Sequence, residues 1–203
     1  MSPIVTDLTA FILAGGKSSR MGSDKAFLSW GDGTLLSHAM KSVAAVTPRA
    51  RIVGATKKFA SFGVVIEDIY RDHGPLGGIH AALANSPTDL NLMLAVDLPL
   101  IETRFLQFMV GLAREAEAAV VTLPRADERL QPLCAVYRRE FVQSAEQSLR
   151  AGRNKIDPLF AELKTRIIEE EEFARAGFSA AMFRNLNTPE EWKEERIKSG
   201  LSI

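Results

Sequence analysis

The sequence predicts an α/β fold, a three-layer α/β/α domain built on a mostly parallel, Rossmann-like sheet. Short apolar segments alternate with segments of helical periodicity along the 203 residues, a pattern typical of successive βαβ units. The apolar segments are continuous runs, as expected of strands buried on both faces of a sheet. The chain is 46% hydrophobic, enough for one substantial core but too short for two large ones, so residues 1–203 are predicted to form one domain.

The predicted elements follow in order along the chain. The first strand covers residues 10–13, an apolar run that stops at two glycines. The first helix covers residues 34–46, where apolar residues recur at helical spacing from Leu36 to Val43. The remaining predicted strands are 51–55, 63–66, 92–96, 119–123, 132–137, 165–169 and 182–184, and the remaining predicted helices are 77–85, 103–118, 140–149 and 157–163. A last helix is predicted after Thr188, which is followed by proline as in many helix N-termini.

The charge balance narrows the class of partner. Lys plus Arg and Asp plus Glu both number 25, so the formal net charge is zero, which does not favour nucleic acid or an anionic membrane as the main partner. No apolar run reaches the ~20 residues of a membrane helix, and the N-terminus lacks the pattern of a signal peptide. A single cysteine, Cys134, excludes an internal disulfide. These features predict a cytoplasmic protein.

The segment after the first strand has the features of a phosphate-binding loop. It reads LAGGKSSRMGSDK from Leu13 to Lys25, beyond the carboxyl end of a strand, where ligands of parallel sheets bind. Its adjacent glycines permit close backbone approach, and exposed N–H groups form an anion-binding concavity. Lys17, Arg20 and Lys25 add up to three cations. The spacing fits neither a P-loop nor a GxGxxG dinucleotide motif, and the alternative is an ordinary glycine turn flanked by surface charge.

This loop resembles the signature loop of the glycosyltransferase-A-like nucleotidyltransferases, and most of all that of the molybdenum cofactor guanylyltransferases. The resemblance spans residues 11–192 and implies a fold of the nucleotide-diphospho-sugar transferase type. It implies that the loop wraps a triphosphate, with Arg20 and Lys25 as catalytic cations on the β- and γ-phosphates. The loop residues implied to bind the nucleotide are Leu13, Ala14, Gly15, Gly16 and Lys25.

Asp97 is the predicted metal ligand. It follows the apolar strand LMLAV, in the motif VDLP, and a carboxylate there suits Mg²⁺, which needs only one or two carboxylates besides phosphate oxygens. An aspartate that merely turns the chain is the alternative. The resemblance assigns this position to the family's metal-binding, catalytic aspartate, and implies Mg²⁺ as the cofactor.

Residues on the base side of the nucleotide are implied by the same resemblance. Asp68, in VIED, matches an aspartate close to the base and ribose, and its carboxylate could accept hydrogen bonds from guanine or from ribose hydroxyls. Asp72 is a rival for this role. Gly77 and Gly78 belong to a GPLGG loop expected to precede a short helix. Relatives often carry an asparagine near Gly54, where this chain reads Gly54-Ala55, which leaves a backbone contact as the expectation.

The acceptor side is implied by two later segments. Gln131 lies in QPL, and Asn185 and Asn187 lie in NLNTPEE, the ending that points most specifically to the molybdenum branch. Alternating side chains place both asparagines on one side of an extended segment, where they would orient the acceptor or complete the metal site. The N-terminal part of the chain is thus expected to bind the nucleotide and the C-terminal part the acceptor.

The implied reaction is transfer of GMP from GTP to the phosphate of the molybdenum–molybdopterin cofactor, with release of pyrophosphate. Transient contact with proteins that supply or receive the cofactor is a further expectation. Two alternatives remain open at this point. One is a cytidylyl- or sugar-1-phosphate nucleotidyltransferase of the same fold, and the other is a GTP-binding protein that delivers the cofactor without catalysis.

Overall fold

The computed structural model describes residues 7–15 and 24–184. Continuous apolar runs form its central strands, as in β1, whose residues are almost all buried. The strands are β1 Leu8–Leu13, β2 Ser29–Trp30, β3 Gly33–Thr34, β4 Ala50–Val53, β5 Val65–Ile66, β6 Leu90–Ala95, β7 Val121–Ala126, β8 Arg129–Leu130, β9 Cys134–Arg138 and β10 Thr165–Ile168. The predicted strands over 10–13, 51–55, 63–66, 92–96, 119–123, 132–137 and 165–169 are therefore confirmed, with shifted ends.

Helices separate most of these strands. They are α1 Leu35–Ala44, α2 Thr56–Phe59, α3 Gly74–Ala84, α4 Thr103–Glu115, α5 Phe141–Arg150, α6 Asp157–Glu162 and α7 Glu170–Arg175, with short 3-10 helices at Lys25–Phe27 and Ala180–Phe183. A capping box fixes the start of α1, because Thr34 and Ser37 each bond the other's backbone N–H through their side chains.

The sheet is mostly parallel, as predicted. Its strand order is β10-β7-β9-β6-β1-β4-β5, with β8 paired to β7, while β2 and β3 form a separate hairpin. Strand β9 runs antiparallel to both neighbours, β6 and β7, whereas β6, β1, β4 and β5 are mutually parallel. The carboxyl ends of β1, β4, β5 and β6 therefore meet at one edge, together with the amino end of β9.

Two hydrophobic clusters cover the two faces of the sheet and make three layers. On one face, Leu8, Ala10 and Ile12 of β1 pack with apolar residues of α1, α4 and α7. On the other face, Phe11 packs with residues of α3, α5 and α6. Adjacent strand residues enter different clusters because side chains alternate across a sheet. The three-layer α/β/α prediction is confirmed.

Two local expectations differ from the structure. Residues 182–184 are not a strand, because Met182 and Phe183 are both buried in the 3-10 helix Ala180–Phe183, whereas successive strand side chains would point to opposite faces. The GPLGG segment is not a loop, because α3 begins at Gly74. The helix predicted after Thr188 lies outside the described residues.

The described part of the chain contains no helix that is long and apolar enough to span a membrane. Cys134 is fully buried, and burial raises the pKa of its thiol far above the usual range. The thiol is therefore a packing group, as its apolar setting predicts.

Candidate active site at the carboxyl edge of the sheet

Backbone hydrogen bonds hold the strand ends of the site together. The Ala14 N–H donates to the Val53 carbonyl at 3.0 Å, and the Val96 N–H donates to the Leu13 carbonyl at 3.2 Å. The Gly54 N–H donates to the Ile66 carbonyl at 2.9 Å. The residues that follow β1, β4, β5 and β6 thus start from one rigid edge, which is where the sequence places the functional positions.

Lys25 and Asp97 meet across this edge, although 72 residues separate them in sequence. The Lys25 ammonium donates to Asp97 Oδ2 at 3.2 Å, and the two side chains are 22% and 25% exposed. Lys25 opens the 3-10 helix Lys25–Phe27, whose N-terminus is capped by the Asp24 side chain. Two predicted catalytic residues are therefore in direct contact, and both remain accessible to a ligand.

The Asp97 carboxylate fits a divalent cation. The Lys25 ammonium neutralises the carboxylate at the point where a metal ion would contact it. Among the described residues no group of three or more His, Cys, Asp or Glu side chains could enclose a metal by itself. A site with one carboxylate, completed by phosphate oxygens, is the arrangement that Mg²⁺ commonly adopts.

Asp68 faces the start of α3. Its Oδ1 lies 3.7 Å from the position that a β-carbon on Gly78 would take, and the side chains of Val53 and Leu13 lie 3.6 and 3.9 Å from the same point. Burial raises the pKa of the Asp68 carboxyl, and the neighbouring Glu67 carboxylate raises it further. This partly desolvated acceptor would gain from a ligand that donates hydrogen bonds.

The rival Asp72 has a different setting. It is exposed and its φ is +63°, a left-handed conformation at the turn that leads into α3. This conformation is typical of an aspartate that shapes a turn.

Gly77 and Gly78 lie in the first turns of α3, and the structure gives each a different reason to be glycine. A β-carbon on Gly77 would lie 2.8 Å from the Tyr70 carbonyl oxygen, a backbone atom that cannot move away alone. Gly78 has only ordinary contacts, so its lack of a side chain keeps open the space beside Asp68.

Gly15 and Gly54 lie against each other at the ends of β1 and β4. A β-carbon on Gly15 would lie 3.8 Å from the Gly54 Cα. A β-carbon on Gly54 would lie 2.7 Å from the Phe59 ring, so a side chain here would require that ring to shift. The Gly54 backbone thus lies beside Gly15 of the glycine-rich loop, and its contact with a nucleotide stays a prediction.

Gln131 reaches the same edge through the antiparallel strand β9. The Leu133 carbonyl accepts a hydrogen bond from the Ala95 N–H at 2.7 Å, two residues before Asp97. The Gln131 side-chain amide donates to the Arg129 carbonyl at 3.3 Å. The QPL segment is thus next to the end of β6, on the side away from β1.

Several predicted site residues cannot be placed. Gly16, Arg20, Asn185 and Asn187 lie outside the described residues, and their roles stay predictions. His38 of α1 lies near the VDLP turn, which the sequence did not predict. Burial lowers the pKa of His38, and the Pro99 backbone carbonyl offsets this only in part.

The profile of the MobA-like NTP transferase domain matches residues 10–167. The chain belongs to this family. As a MobA-like NTP transferase it is a nucleotidyltransferase, which the resemblance of its glycine-rich loop predicted.

Two relatives and one solved structure agree with this assignment. The chain is 34% identical over 190 residues to the molybdenum cofactor guanylyltransferase of Syntrophotalea carbinolica, covering 93% of this chain and 90% of that one. It is 32% identical over 166 residues to the probable molybdenum cofactor guanylyltransferase of Flavobacterium johnsoniae, covering 81% and 86%. The crystal structure of molybdopterin-guanine dinucleotide biosynthesis protein A from Archaeoglobus fulgidus superposes with a TM-score of 0.81 at 22% identity, covering 95% of this chain and all of that one. That structure supports the fold.

Proposed function

We propose that this MobA-like NTP transferase transfers GMP from GTP to the phosphate of the molybdenum–molybdopterin cofactor. An oxygen of the acceptor phosphate attacks the α-phosphorus of GTP, the bond to the β-phosphate oxygen breaks, and pyrophosphate leaves. The contact between Lys25 and Asp97 beside the glycine-rich loop is the observation that carries the proposal. The guanylyltransferase relatives, at 32–34% identity over most of the chain, support GTP and this acceptor as substrates.

The site works by positioning and charge neutralisation. The backbone after β1 cradles the triphosphate, and Lys25 with Arg20 holds the β- and γ-phosphates, where negative charge develops as pyrophosphate leaves. Mg²⁺ held by Asp97 would supply further neutralisation of phosphate oxygens. An acceptor phosphate is already an anion near neutral pH, so the reaction needs no strong general base.

The two sides of the site receive the two substrates. We assign Asp68, Gly54 and the start of α3 to the base and ribose, and Gln131, Asn185 and Asn187 to the acceptor. Nucleotide binding by the N-terminal part and acceptor binding by the C-terminal part, within one domain, complete the assignment. We place the reaction in the cytoplasm, where the enzyme would meet proteins that supply or receive the cofactor.

The test is nucleotide transfer with GTP or CTP, molybdenum-loaded pterin and Mg²⁺, followed by pyrophosphate release. We expect turnover with GTP, loss of turnover when the metal is chelated, and loss in Asp97→Asn. The matched control is Asp32→Asn, which removes an exposed carboxylate from the turn between β2 and β3. Preference for CTP, or an active Asp97→Asn variant, would contradict the proposal, and GTP binding by the wild type without pyrophosphate release would favour a delivery protein.

Base recognition is tested separately by thermal shift with GTP, CTP, ATP and UTP. A bound nucleotide raises the melting temperature by an amount set by its affinity and concentration. Asp68→Asn is expected to lose most of the shift produced by GTP, whereas Asp72→Asn keeps it. The opposite result would assign the base contact to Asp72.

A further inference from the structure

Helix α2 contacts the exit of the glycine-rich loop at two points. The Lys58 ammonium pairs with Asp24 Oδ2 at 2.7 Å, and the buried Phe59 ring stacks on Phe27 with centroids 5.6 Å apart. Asp24 and Phe27 flank Lys25 and Ala26. The helix therefore holds the chain on both sides of the lysine that contacts Asp97.

Asp24 is the link between α2 and Lys25. One carboxylate oxygen accepts from the Ala26 N–H at 3.2 Å and caps the 3-10 helix, while the other accepts from Lys58. The Asp24 side chain is only 19% exposed, whereas that of Lys58 is 54% exposed. The carboxylate is thus fixed from two directions, and with it the backbone that carries Lys25.

The other end of α2 is also anchored. The Glu67 carboxylate accepts from the Thr56 N–H at 2.8 Å, which satisfies a free donor in the first turn of the helix. Gly54 and Ala55 join α2 directly to the end of β4. A rigid strand edge thus supports the ion pair, so Lys58 and Asp24 meet at a fixed point of the fold.

We propose that Lys58 is a positioning residue for nucleotide transfer, acting through Asp24 to hold Lys25 in place before the triphosphate arrives. This inference rests on the proposed function of the Lys25 site. When the loop exit is held in advance, less ordering is required on binding, so the ion pair contributes to nucleotide affinity. Once the nucleotide is bound, its contact with Lys25 holds that side chain in place, and the rate of the chemical step depends little on Lys58.

The experiment compares Lys58→Met with Lys57→Met, which removes the neighbouring exposed lysine of the same helix. We expect Lys58→Met to raise KM for GTP about fivefold, the size typical of a good surface ion pair, and to leave kcat within about twofold. Lys57→Met should match the wild type, and Lys58→Arg should restore most of the loss because it keeps the charge. Without nucleotide, the melting temperature of Lys58→Met should fall by at most about 4 °C, as expected for the loss of one such ion pair, and that of Lys57→Met should stay at the wild-type value.

Asp24→Asn tests the route of the effect. Asparagine can still accept the Ala26 N–H but carries no charge for Lys58, so the variant should raise KM as Lys58→Met does. The double variant should be no worse than either single one. If the KM increases of Lys58→Met and Asp24→Asn multiplied in the double variant, Lys58 would act on the nucleotide by a route other than Asp24, and the inference would be wrong. It would also be wrong if Lys58→Met had the same KM as Lys57→Met.

A failure of the proposed function gives a different pattern. If the wild type did not transfer GMP at all, the GTP-dependent thermal shift would still compare nucleotide affinity among the variants. A reduced shift in Lys58→Met, with a normal one in Lys57→Met, would support the positioning role even then. An equal shift in both variants would overturn it.

Discussion

Replacing Lys25 by methionine is expected to tighten metal binding in the absence of nucleotide. In the structure the Lys25 ammonium neutralises Asp97 at 3.2 Å, so an incoming divalent cation must displace it. Methionine has a similar length but no charge, and it leaves the carboxylate free for the metal. The same change should weaken GTP binding, because a cation on the triphosphate is lost.

The size of the effect follows from the geometry of the pair. Two unit charges at this separation attract by about 5 kcal/mol at an effective dielectric constant of about 20. Solvation lost by two side chains that are 22% and 25% exposed, together with their ordering, offsets most of this. A net contribution of about 1 kcal/mol remains for such a partly exposed pair. Removing it should lower the Kd of the metal about fivefold.

The assay is titration with Mn²⁺, a paramagnetic probe for the Mg²⁺ site, with the free ion measured by electron paramagnetic resonance. Lys57→Met controls for the change in net charge and should leave the Kd unchanged. Asp97→Asn should abolish Mn²⁺ binding at this site both in the otherwise wild-type protein and in combination with Lys25→Met. If Lys25→Met left Mn²⁺ affinity unchanged or lowered it, the Lys25 ammonium would not compete with the metal for the Asp97 carboxylate.

Three further predictions concern stability and reactivity. Gly77→Ala should destabilise the protein by about 2 kcal/mol or more in urea denaturation, because the new β-carbon meets the Tyr70 carbonyl at 2.8 Å and overpacking of this kind is costly. Gly78→Ala should unfold like the wild type, and an equal loss of stability in the two variants would refute this. Asp68→Asn should increase the free energy of unfolding at pH 7, because the raised pKa of Asp68 means that the folded state disfavours its carboxylate. This gain should vanish as the pH falls below the ordinary carboxyl pKa, where Asp68 is protonated in both the folded and the unfolded state, and a gain that persists in acid would contradict the prediction. Cys134 should react with a thiol reagent only after denaturant is added, because its thiol is fully buried; rapid labelling of the folded protein would show otherwise.

The edge of the sheet was predictable because each strand ends where an apolar run ends. The apolar runs that precede them were enough to place Leu13 and Asp97 at strand ends, and parallel pairing then brings those ends together. The glycine-rich loop and Asp97 carried specific motifs, so the two sides of the contact could each be named in advance. The contact between Lys25 and Asp97 spans 72 residues and arises only from the tertiary structure.

Other features depend on contacts that no local pattern contains. Lys58 lies on a helix of only four residues, and its pairing with Asp24 spans 34 residues. Gly54 is explained by the Phe59 ring packed over it, not by its own neighbours in sequence. The strand predicted over 182–184 was wrong because the Phe183 ring packs edge-on against Phe105, and a compact 3-10 turn brings it there.

The most direct test of the proposed function follows the α-phosphate of GTP. The enzyme is incubated with GTP labelled at the α-phosphorus, molybdenum-loaded pterin and Mg²⁺, and the label on the pterin is compared with the pyrophosphate released. We predict one labelled pterin dinucleotide for each pyrophosphate, with loss of both products in Asp97→Asn but not in Asp32→Asn. Pyrophosphate release without label on the pterin, or efficient transfer from CTP in place of GTP, would contradict guanylyl transfer at this site.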